Sequence, residues 1–241
     1  MKQVFFKIKE NVSLTENVKK MTLVGDTSNI KAGQFINIKI DGLFLRRPIS
    51  VCDIQGDNLT IIYKIVGKGT QKLACMQNET LDVLTQLGNG YNLSKSGDKP
   101  LLVGGGVGVP PLYYLAKQLI ALDKKATVIL GFNTKREVFY EKQFKELGAQ
   151  VIVTTIDGSY GVKGFVTNAL EGLDNSYFYA CGPEPMLKAL SKATTISGEL
   201  SFEERMGCGF GACMGCSCKT LTGNKRICKE GPVMQKEEII W

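Results

Sequence analysis

Histidine is absent from this chain of 241 residues, and tryptophan occurs only once. Without histidine the most common general base is missing, which excludes a Ser–His or Cys–His hydrolase of the usual kind. No apolar run approaches the length needed to span a bilayer, so we expect no membrane segment. The residues from Met1 to Glu10 alternate charged and apolar side chains, which predicts a strand and not a signal peptide.

The chain also lacks the stripes of Lys, Arg and aromatic residues that are typical of nucleic-acid binders. Its formal net charge of +7 is spread over patches of mixed sign. Such a charge can equally attract an acidic dinucleotide or an acidic protein partner. The composition, 44% hydrophobic and 22% charged, is that of an ordinary soluble globular protein with material for sizeable cores.

The most specific motif is a cysteine run near the C-terminus. Cys208, Cys213 and Cys216 follow the spacing Cys-x4-Cys-x2-Cys, and Cys228 comes after them. This is the opening spacing of plant-type ferredoxins, in which four thiolates hold a [2Fe–2S] cluster. The interleaved glycines allow the backbone to curl so that its amides face the sulfides. We therefore expect these four cysteines to be cluster ligands.

Other interpretations of the cysteines are open. A zinc site would use Cys213 and Cys216 with two further thiolates, from Cys218 and Cys228. Disulfides are disfavoured because several cysteines lie outside the run, as is usual in a reducing cytosol. Cys218 alternates with Cys216, so an extended strand would point the two to opposite faces, and we interpret Cys218 as a packed residue and not a ligand. The loop 219–227 should then be a tight hairpin that turns at 222–224.

Three segments follow each other along the chain. Residues 1–97 show short β-branched strands with glycine turns, which is typical of a small antiparallel barrel. In residues 98–200 apolar strands alternate with helices, which predicts a parallel sheet covered on both faces. Residues 201–241 contain the cysteine run. The predicted strands are 35–40, 49–53, 59–66, 81–87, 101–103, 126–130, 150–154 and 177–180. The predicted helices are 71–76 with Thr70 as N-cap, 112–122, 138–147, about 164–170 and 184–192.

Two loops and one strand carry residues suited to nucleotides. The run from Gly104 to Pro111 joins a parallel strand to a helix, and it fits Gly-x-Gly-x-x-Pro through Gly106, Gly108 and Pro111. Free amides at a helix N-terminus suit a pyrophosphate, although a plain tight turn would look similar. The strand Arg46-Arg-Pro-Ile-Ser50 offers an arginine fork for a diphosphate and a hydroxyl close behind it. Cys181-Gly-Pro183 ends the last parallel strand at the edge where open α/β folds bind ligands.

Taken in order, Arg47-Pro-Ile-Ser50, Gly69-Thr70, the glycine loop and Cys181-Gly-Pro183 resemble the ferredoxin–NADP reductase superfamily. The tail that begins Glu204-Arg-Met-Gly-Cys208 resembles the electron-transfer subunits of NAD-dependent (class 1B) dihydroorotate dehydrogenases. The resemblance covers essentially the whole chain. It implies an antiparallel flavin-binding β-barrel, a parallel-sheet nucleotide-binding domain and a small C-terminal iron–sulfur subdomain, with FAD, NAD and a [2Fe–2S] cluster as cofactors.

The resemblance also implies roles for individual residues. Arg47 would bind the FAD diphosphate and Ser50 would lie near the flavin ring. Cys181 would lie close to the nicotinamide. Further flavin contacts would come from Pro48, Ile49, Ile62, Tyr63 and Lys64, the flavin pyrophosphate would bind at Gly69 and Thr70, NAD would bind at Gly106, Gly108 and Pro111, and the cluster ligands would be Cys208, Cys213, Cys216 and Cys228.

In that family a catalytic subunit oxidises dihydroorotate at FMN, and electrons pass through the [2Fe–2S] cluster and FAD to NAD+. The resemblance therefore implies a cytoplasmic electron-transfer subunit of pyrimidine biosynthesis. It would work in a hetero-oligomer, a heterotetramer in the family, with an FMN-containing dihydroorotate dehydrogenase catalytic subunit. Two alternatives are open. One is a related NAD(P)H-dependent flavin and iron–sulfur reductase subunit linked to sulfide or ferredoxin. The other is a zinc-stabilised nucleotide-binding regulator without redox activity.

Overall fold

Six antiparallel strands close into a barrel in the computed structural model, which describes all 241 residues. In the first strand Val4, Phe6 and Ile8 are buried while the residues between them are exposed, the period of two expected for a strand with one buried face. The predicted barrel is confirmed. Its elements are β1 (Lys2–Ser13), β2 (Val18–Val24), β3 (Phe35–Ile38), β4 (Arg47–Gln55), β5 (Asn58–Lys64), α1 (Lys68–Cys75) and β6 (Thr80–Leu87), and the strand order is β1-β2-β5-β4-β3-β6.

A mainly parallel sheet follows the barrel, as predicted. Its central strands are short and almost entirely buried, because helices cover both faces. The elements are β7 (Pro100–Gly105), α2 (Pro110–Ala121), β8 (Thr127–Phe132), α3 (Glu141–Glu146), β9 (Gln150–Thr155), β10 (Val162–Lys163), β11 (Tyr177–Cys181), α4 (Glu184–Ala193) and β12 (Gly198–Ser201). None of the helices is long and apolar enough to cross a membrane.

The C-terminal residues form a separate two-stranded hairpin and add one more strand to this sheet. The hairpin pairs β13 (Ser217–Thr220) with β14 (Gly223–Arg226), and β15 (Val233–Gln235) runs antiparallel to β12. The resulting order is β10-β9-β8-β7-β11-β12-β15. The hairpin forms where it was predicted, but Gly223 already pairs with Thr220, so the turn lies slightly earlier. The predicted segment boundaries at 97 and 200 stay predictions.

One predicted helix is shorter than expected and another is wrong. Over 138–147 the backbone is interrupted at Tyr140, whose φ of 67° is left-handed, so that only α3 forms after it. Tyr140 is buried and its ring packs edge-on against Tyr113 of α2, and this packing outweighs the helical periodicity of the segment. Over 164–170 only one 3₁₀ turn forms, at Val166–Ala169.

The barrel and the sheet share one hydrophobic core, and this fixes the cleft between them. Cys52 and Ile62 of the barrel belong to the same buried cluster as Leu112 and Leu115 of α2. At the edge of this contact Lys117 Nζ lies 2.9 Å from Asp53 Oδ1. These contacts set the position of the barrel relative to the sheet, and with it the shape of the cleft between them.

Candidate functional site

A cavity of about 690 Å³ lies between the barrel and the carboxyl edge of the parallel sheet. The barrel contributes residues 15–18 and Lys64, and the sheet contributes the ends of β7, β8, β9 and β11. Ligands of open α/β sheets bind at this edge. The predicted Gly106 and Gly108 line the cavity, whereas Pro111 is buried at the start of α2.

The glycine loop is pressed against the Cys181–Gly182 peptide. A Cβ on Gly108 would lie 2.2 Å from the Cys181 carbonyl oxygen and 2.6 Å from the Gly182 nitrogen. Backbone atoms cannot yield to such an overlap, so only glycine fits there. Two predicted site residues that are far apart in sequence, Gly108 and Cys181, are thus in direct contact.

Cys181 itself is only 1% exposed. Burial raises the pKa of its thiol well above the usual range, while a hydrogen bond with the Ser201 side chain acts in the opposite direction. The thiol is therefore neutral at physiological pH, and its contact with the nicotinamide stays a prediction.

Glu203 is a cavity residue that the motifs did not indicate. Its side chain keeps access to water through the cavity, yet the surrounding protein desolvates it enough to raise the pKa of its carboxyl. Its position just after β12, at the carboxyl edge of the sheet, is the only signal in the sequence that could have pointed to it.

The turn after β8 brings a second carboxylate to the cavity. Glu137 Oε2 accepts hydrogen bonds from the backbone nitrogen of Asn133 at 3.0 Å and from Asn133 Nδ2 at 2.8 Å. The neighbouring cation Lys135 lies over the Tyr160 ring, with 5.6 Å between Nζ and the ring centroid. Glu137 is therefore held in place at the end of the second parallel strand.

Arg47 and Gly69, both predicted to bind the flavin diphosphate, are neighbours in space. A Cβ on Gly69 would lie 2.0 Å from Arg47 Nε and 2.7 Å from Arg47 Cζ. Arg47 also donates through Nη1 to the carbonyl of Leu45. The guanidinium therefore lies over the first turn of α1, where backbone amides have no helical partners.

The environment of Thr70 differs from the prediction. Gly67, not Thr70, is the N-cap of α1. Thr70 Oγ1 accepts from the nitrogens of Val66 and Gly67, at 2.9 and 3.2 Å, and donates to the Gly67 carbonyl at 3.1 Å. Its hydroxyl is fully used. Any contact with a pyrophosphate must therefore use the backbone amide.

The three flavin contacts predicted on β5 differ in their accessibility to a ligand. The Tyr63 side chain lies inside the barrel core, where its hydroxyl donates to Asn11 Oδ1 at 3.0 Å, so it cannot stack on a flavin. Ile62 is buried in the core shared with α2, and Lys64 is exposed at the cavity. On β4, Pro48, Ile49 and Ser50 are half-buried, accessible enough for a ligand.

The four predicted ligand cysteines lie in two pairs. Cys208 Sγ accepts a hydrogen bond from the Cys213 nitrogen near the surface, and Cys216 Sγ accepts one from the Cys228 nitrogen in a buried position. No group of three or more Cys, Asp or Glu side chains is arranged to hold a single metal ion. A cluster with two irons needs two thiolates on each iron, and the paired arrangement fits that need.

Backbone amides already face these sulfurs. Cys208 Sγ accepts from the nitrogens of Ala212 at 3.2 Å and Cys213 at 3.4 Å, and Cys216 Sγ accepts from the Cys228 nitrogen at 3.4 Å. A Cβ on Gly207 would lie 3.2 Å from Cys213 Sγ. The loop is thus a close-fitting cradle of amides and sulfurs, which suits a [2Fe–2S] cluster.

The thiols of Cys208 and Cys228 have different pKa values. Burial raises the pKa of Cys208, but the amides of Phe210, Cys213 and Ala212 more than offset this and bring the pKa down to about 6. Burial and the Cys216 thiol raise the pKa of Cys228 to about 12. Cys208 therefore forms a thiolate more readily than Cys228. Cys218 instead contacts Met234, with 3.9 Å between the sulfurs, and its exclusion from the ligand set stays a prediction.

Comparison with known proteins gives consistent matches along the chain. Residues 203–240 match the iron–sulfur cluster binding domain of dihydroorotate dehydrogenase B, and residues 102–192 match the oxidoreductase NAD-binding domain. The dihydroorotate dehydrogenase B (NAD(+)) electron transfer subunit of Bacillus pumilus is 44% identical, over 99% of this chain and 98% of that protein. The corresponding subunit of Fusobacterium nucleatum is 46% identical, over 96% of each chain.

A solved structure of an NADH-dependent reduced ferredoxin–NADP oxidoreductase, described in connection with flavin-based electron bifurcation, has the same fold. It superimposes with a TM-score of 0.90 at 30% identity, over 98% of this chain and 90% of that one.

Proposed function

From the premise that this chain belongs to the electron-transfer subunits of dihydroorotate dehydrogenase B, we propose which of its residues carry the electron transfer and where its partner docks. The chain is an NAD-dependent oxidoreductase subunit with FAD, NAD and a [2Fe–2S] cluster, and it transfers electrons from a dihydroorotate dehydrogenase catalytic subunit to NAD+. NAD exchanges two electrons, a [2Fe–2S] cluster exchanges one, and FAD links the two modes. The observation that carries the proposal is that one rigid chain presents a nucleotide cavity, the Arg47–Gly69 contact and the four-cysteine cradle.

The flavin diphosphate is proposed to bind between the Arg47 guanidinium and the first turn of α1. The fork of Arg47 supplies two parallel charged donors, and the backbone amides of Gly69 and Thr70 add further donors at a helix N-terminus. Ser50 and Pro48, on the outer face of β4, lie where the ring would pack. No side chain in this arrangement needs to act as a strong base, which accords with the absence of histidine.

NAD(H) is proposed to occupy the cavity, with its pyrophosphate on Gly106 and Gly108 and its adenosine ribose at Glu137. A carboxylate at this place accepts hydrogen bonds from ribose hydroxyls and repels a 2′-phosphate. Asn133 holds that carboxylate in place, and Lys135 is directed to Tyr160 instead of to the cavity. The Glu137 carboxylate favours NAD over NADP, whereas Arg136, which also lines the cavity, would attract a 2′-phosphate.

The catalytic subunit is proposed to dock on the exposed side of the cysteine loop. Cys213 is exposed, and Phe210 and Met214 beside it are 41% and 53% exposed, so this side of the loop offers apolar side chains to a partner. Docking there would bring the FMN of the partner towards the outer thiol pair. By family the assembly would be a heterotetramer. It would lie in the cytoplasm, since none of the eight cysteines forms a disulfide.

Reconstitution tests this function. The purified chain with FAD and cluster should oxidise NADH with an artificial acceptor, should be inert towards dihydroorotate, and should form NADH from dihydroorotate only after the FMN-containing subunit is added. Replacement of Met214 by Asp should weaken the complex and leave the NADH–acceptor rate unchanged. Replacement of Leu221 by Asp, at a side chain 70% exposed on the hairpin of the same segment, is the matched control and should have no effect. Turnover of dihydroorotate by the chain alone would contradict the proposal.

A further inference from the structure

Strand β3 presents two different faces. Ile36 and Ile38 point into the barrel core, so Phe35 and Asn37 point outwards. Phe35 packs in the same hydrophobic cluster as Cys216 and Cys228, beneath the cysteine loop. The outer face of β3 is therefore the surface on which the cysteine loop rests.

The same outer face continues onto the strand proposed to carry the flavin. Phe35 lies opposite Ser50 and Asn37 lies opposite Pro48 in the β3–β4 pairing. Directly opposed residues of an antiparallel pair share one face, with Cβ atoms about 4.5–5.5 Å apart. One strand spacing thus separates the proposed flavin contacts, Ser50 and Pro48, from the residues that support the cysteine loop.

Asn37 makes the direct contact with the loop. Its side chain is 1% exposed, and Nδ2 donates to the carbonyl oxygen of Cys208 at 3.2 Å. The opposite amide orientation would place two oxygens together, so the donor assignment follows from the contact. A Cβ on Gly209 would lie 2.3 Å from Asn37 Nδ2, so the loop approaches this side chain as closely as a backbone can. Asn37 Oδ1 has no hydrogen-bond partner.

We propose that Asn37 is a positioning residue for electron transfer, which holds the Cys208 side of the cluster against the flavin strand so that single electrons cross at the β3–β4 pair. Each electron that leaves the flavin reduces one iron of the cluster, or the reverse, and no covalent bond forms or breaks. The inference rests on the proposed flavin site at Pro48 and Ser50.

Asn89 offers a matched comparison, because it also binds the C-terminal segment through its side-chain amide. Asn89 Nδ2 donates to the carbonyl of Val233 at 2.6 Å, and Asn89 Oδ1 accepts from the Val233 nitrogen at 3.0 Å. Asn89 lies beyond the end of β6 and is not on the β3–β4 face. If Asn37 only anchored the C-terminal segment, its substitution should have the same effect on cluster reduction as substitution of Asn89.

The experiment uses the whole chain loaded with FAD and cluster. NADH is mixed with it anaerobically, and flavin and cluster reduction are followed separately by their visible absorption, with the reduced cluster also recorded by electron paramagnetic resonance. N37L should reduce its flavin at the wild-type rate, but its cluster should be reduced about fivefold more slowly, because loss of a neutral hydrogen bond lowers by about this factor the fraction of molecules whose loop is held against the flavin strand. N37Q, which keeps an amide that can donate to the Cys208 carbonyl, should retain the cluster and reduce it faster than N37L. N89L should match the wild type in the rate per cluster.

The following results for the variants would overturn the inference. Wild-type cluster reduction in N37L, or equal slowing in N89L, would mean that Asn37 does not position the electron path. Loss of the cluster from both Asn37 variants, with N89L still loaded, would reduce Asn37 to a structural anchor. A wild-type chain that binds both cofactors but cannot reduce its cluster with NADH would contradict the proposed function instead, and is recognised before any variant is compared.

Discussion

The contact between Gly69 and Arg47 allows the flavin site to be tested separately from the stability of the fold. In the G69A variant the added methyl group would lie 2.0 Å from Arg47 Nε, so one of the two must move. Arginine is the far end of a flexible side chain, whereas Gly69 is buried in the first turn of α1. We therefore expect the guanidinium to swing away while the helix stays intact.

The G69A substitution should stabilise the apoprotein but weaken its affinity for FAD. Glycine to alanine in a helix stabilises it by about 0.5–1 kcal/mol, so the apoprotein should be as stable as the wild type or slightly more stable. A displaced Arg47 forfeits charge-assisted bonds worth about 1.5–3 kcal/mol, which corresponds to a loss of FAD affinity of about tenfold to a hundredfold. The R47A variant should lose a similar amount.

Titration of the apoproteins with FAD, together with their thermal unfolding, measures both quantities. The double variant R47A/G69A is the decisive control, because the methyl group has no arginine to displace there. Its FAD affinity should equal that of R47A. Additive losses in the double variant would mean that the methyl group clashes with the flavin directly, and unchanged affinity in G69A would refute the anchoring role of Arg47.

Three further predictions concern the other sites. Serine in place of each cluster ligand should abolish the electron paramagnetic resonance signal of the reduced cluster, whereas C218S should keep it. Loss of the signal in C218S with retention in C228S would overturn the ligand assignment. E137Q should raise the KM for NADH about tenfold or more, because a charged hydrogen bond is lost, and should not raise the KM for NADPH to the same extent. Equal changes of KM for both nucleotides would contradict the contact between Glu137 and the ribose. Burial raises the pKa of the Glu199 carboxyl, so the folded state keeps its proton to higher pH than the unfolded state. The stability of the wild type relative to E199Q should therefore fall as pH rises above about 4.5, the ordinary glutamate value, and a constant difference in chemical denaturation across that range would refute the shift.

The sequence by itself determined the features that depend on the spacing of residues close together in the chain. The Cys-x4-Cys-x2-Cys run predicts a cluster loop because ligand geometry constrains neighbours in the chain. Strands with a period of two predict a barrel, and short apolar strands alternating with helices predict a parallel sheet, because one element must bury one face. Both fold predictions are confirmed, and the family matches bear out the expected cofactors.

Only the tertiary structure decided which distant residues meet. The contact of Gly108 with the Cys181 carbonyl, and that of Asn37 with the Cys208 carbonyl, join segments that have no local signal for each other. The helix predicted over 138–147 is shortened to α3 for the same reason, since buried packing of Tyr140 against α2 outweighs a weak local preference. Strand β15 likewise pairs with β12 across the whole cysteine loop, because a sheet edge accepts any strand that the packed chain brings to it.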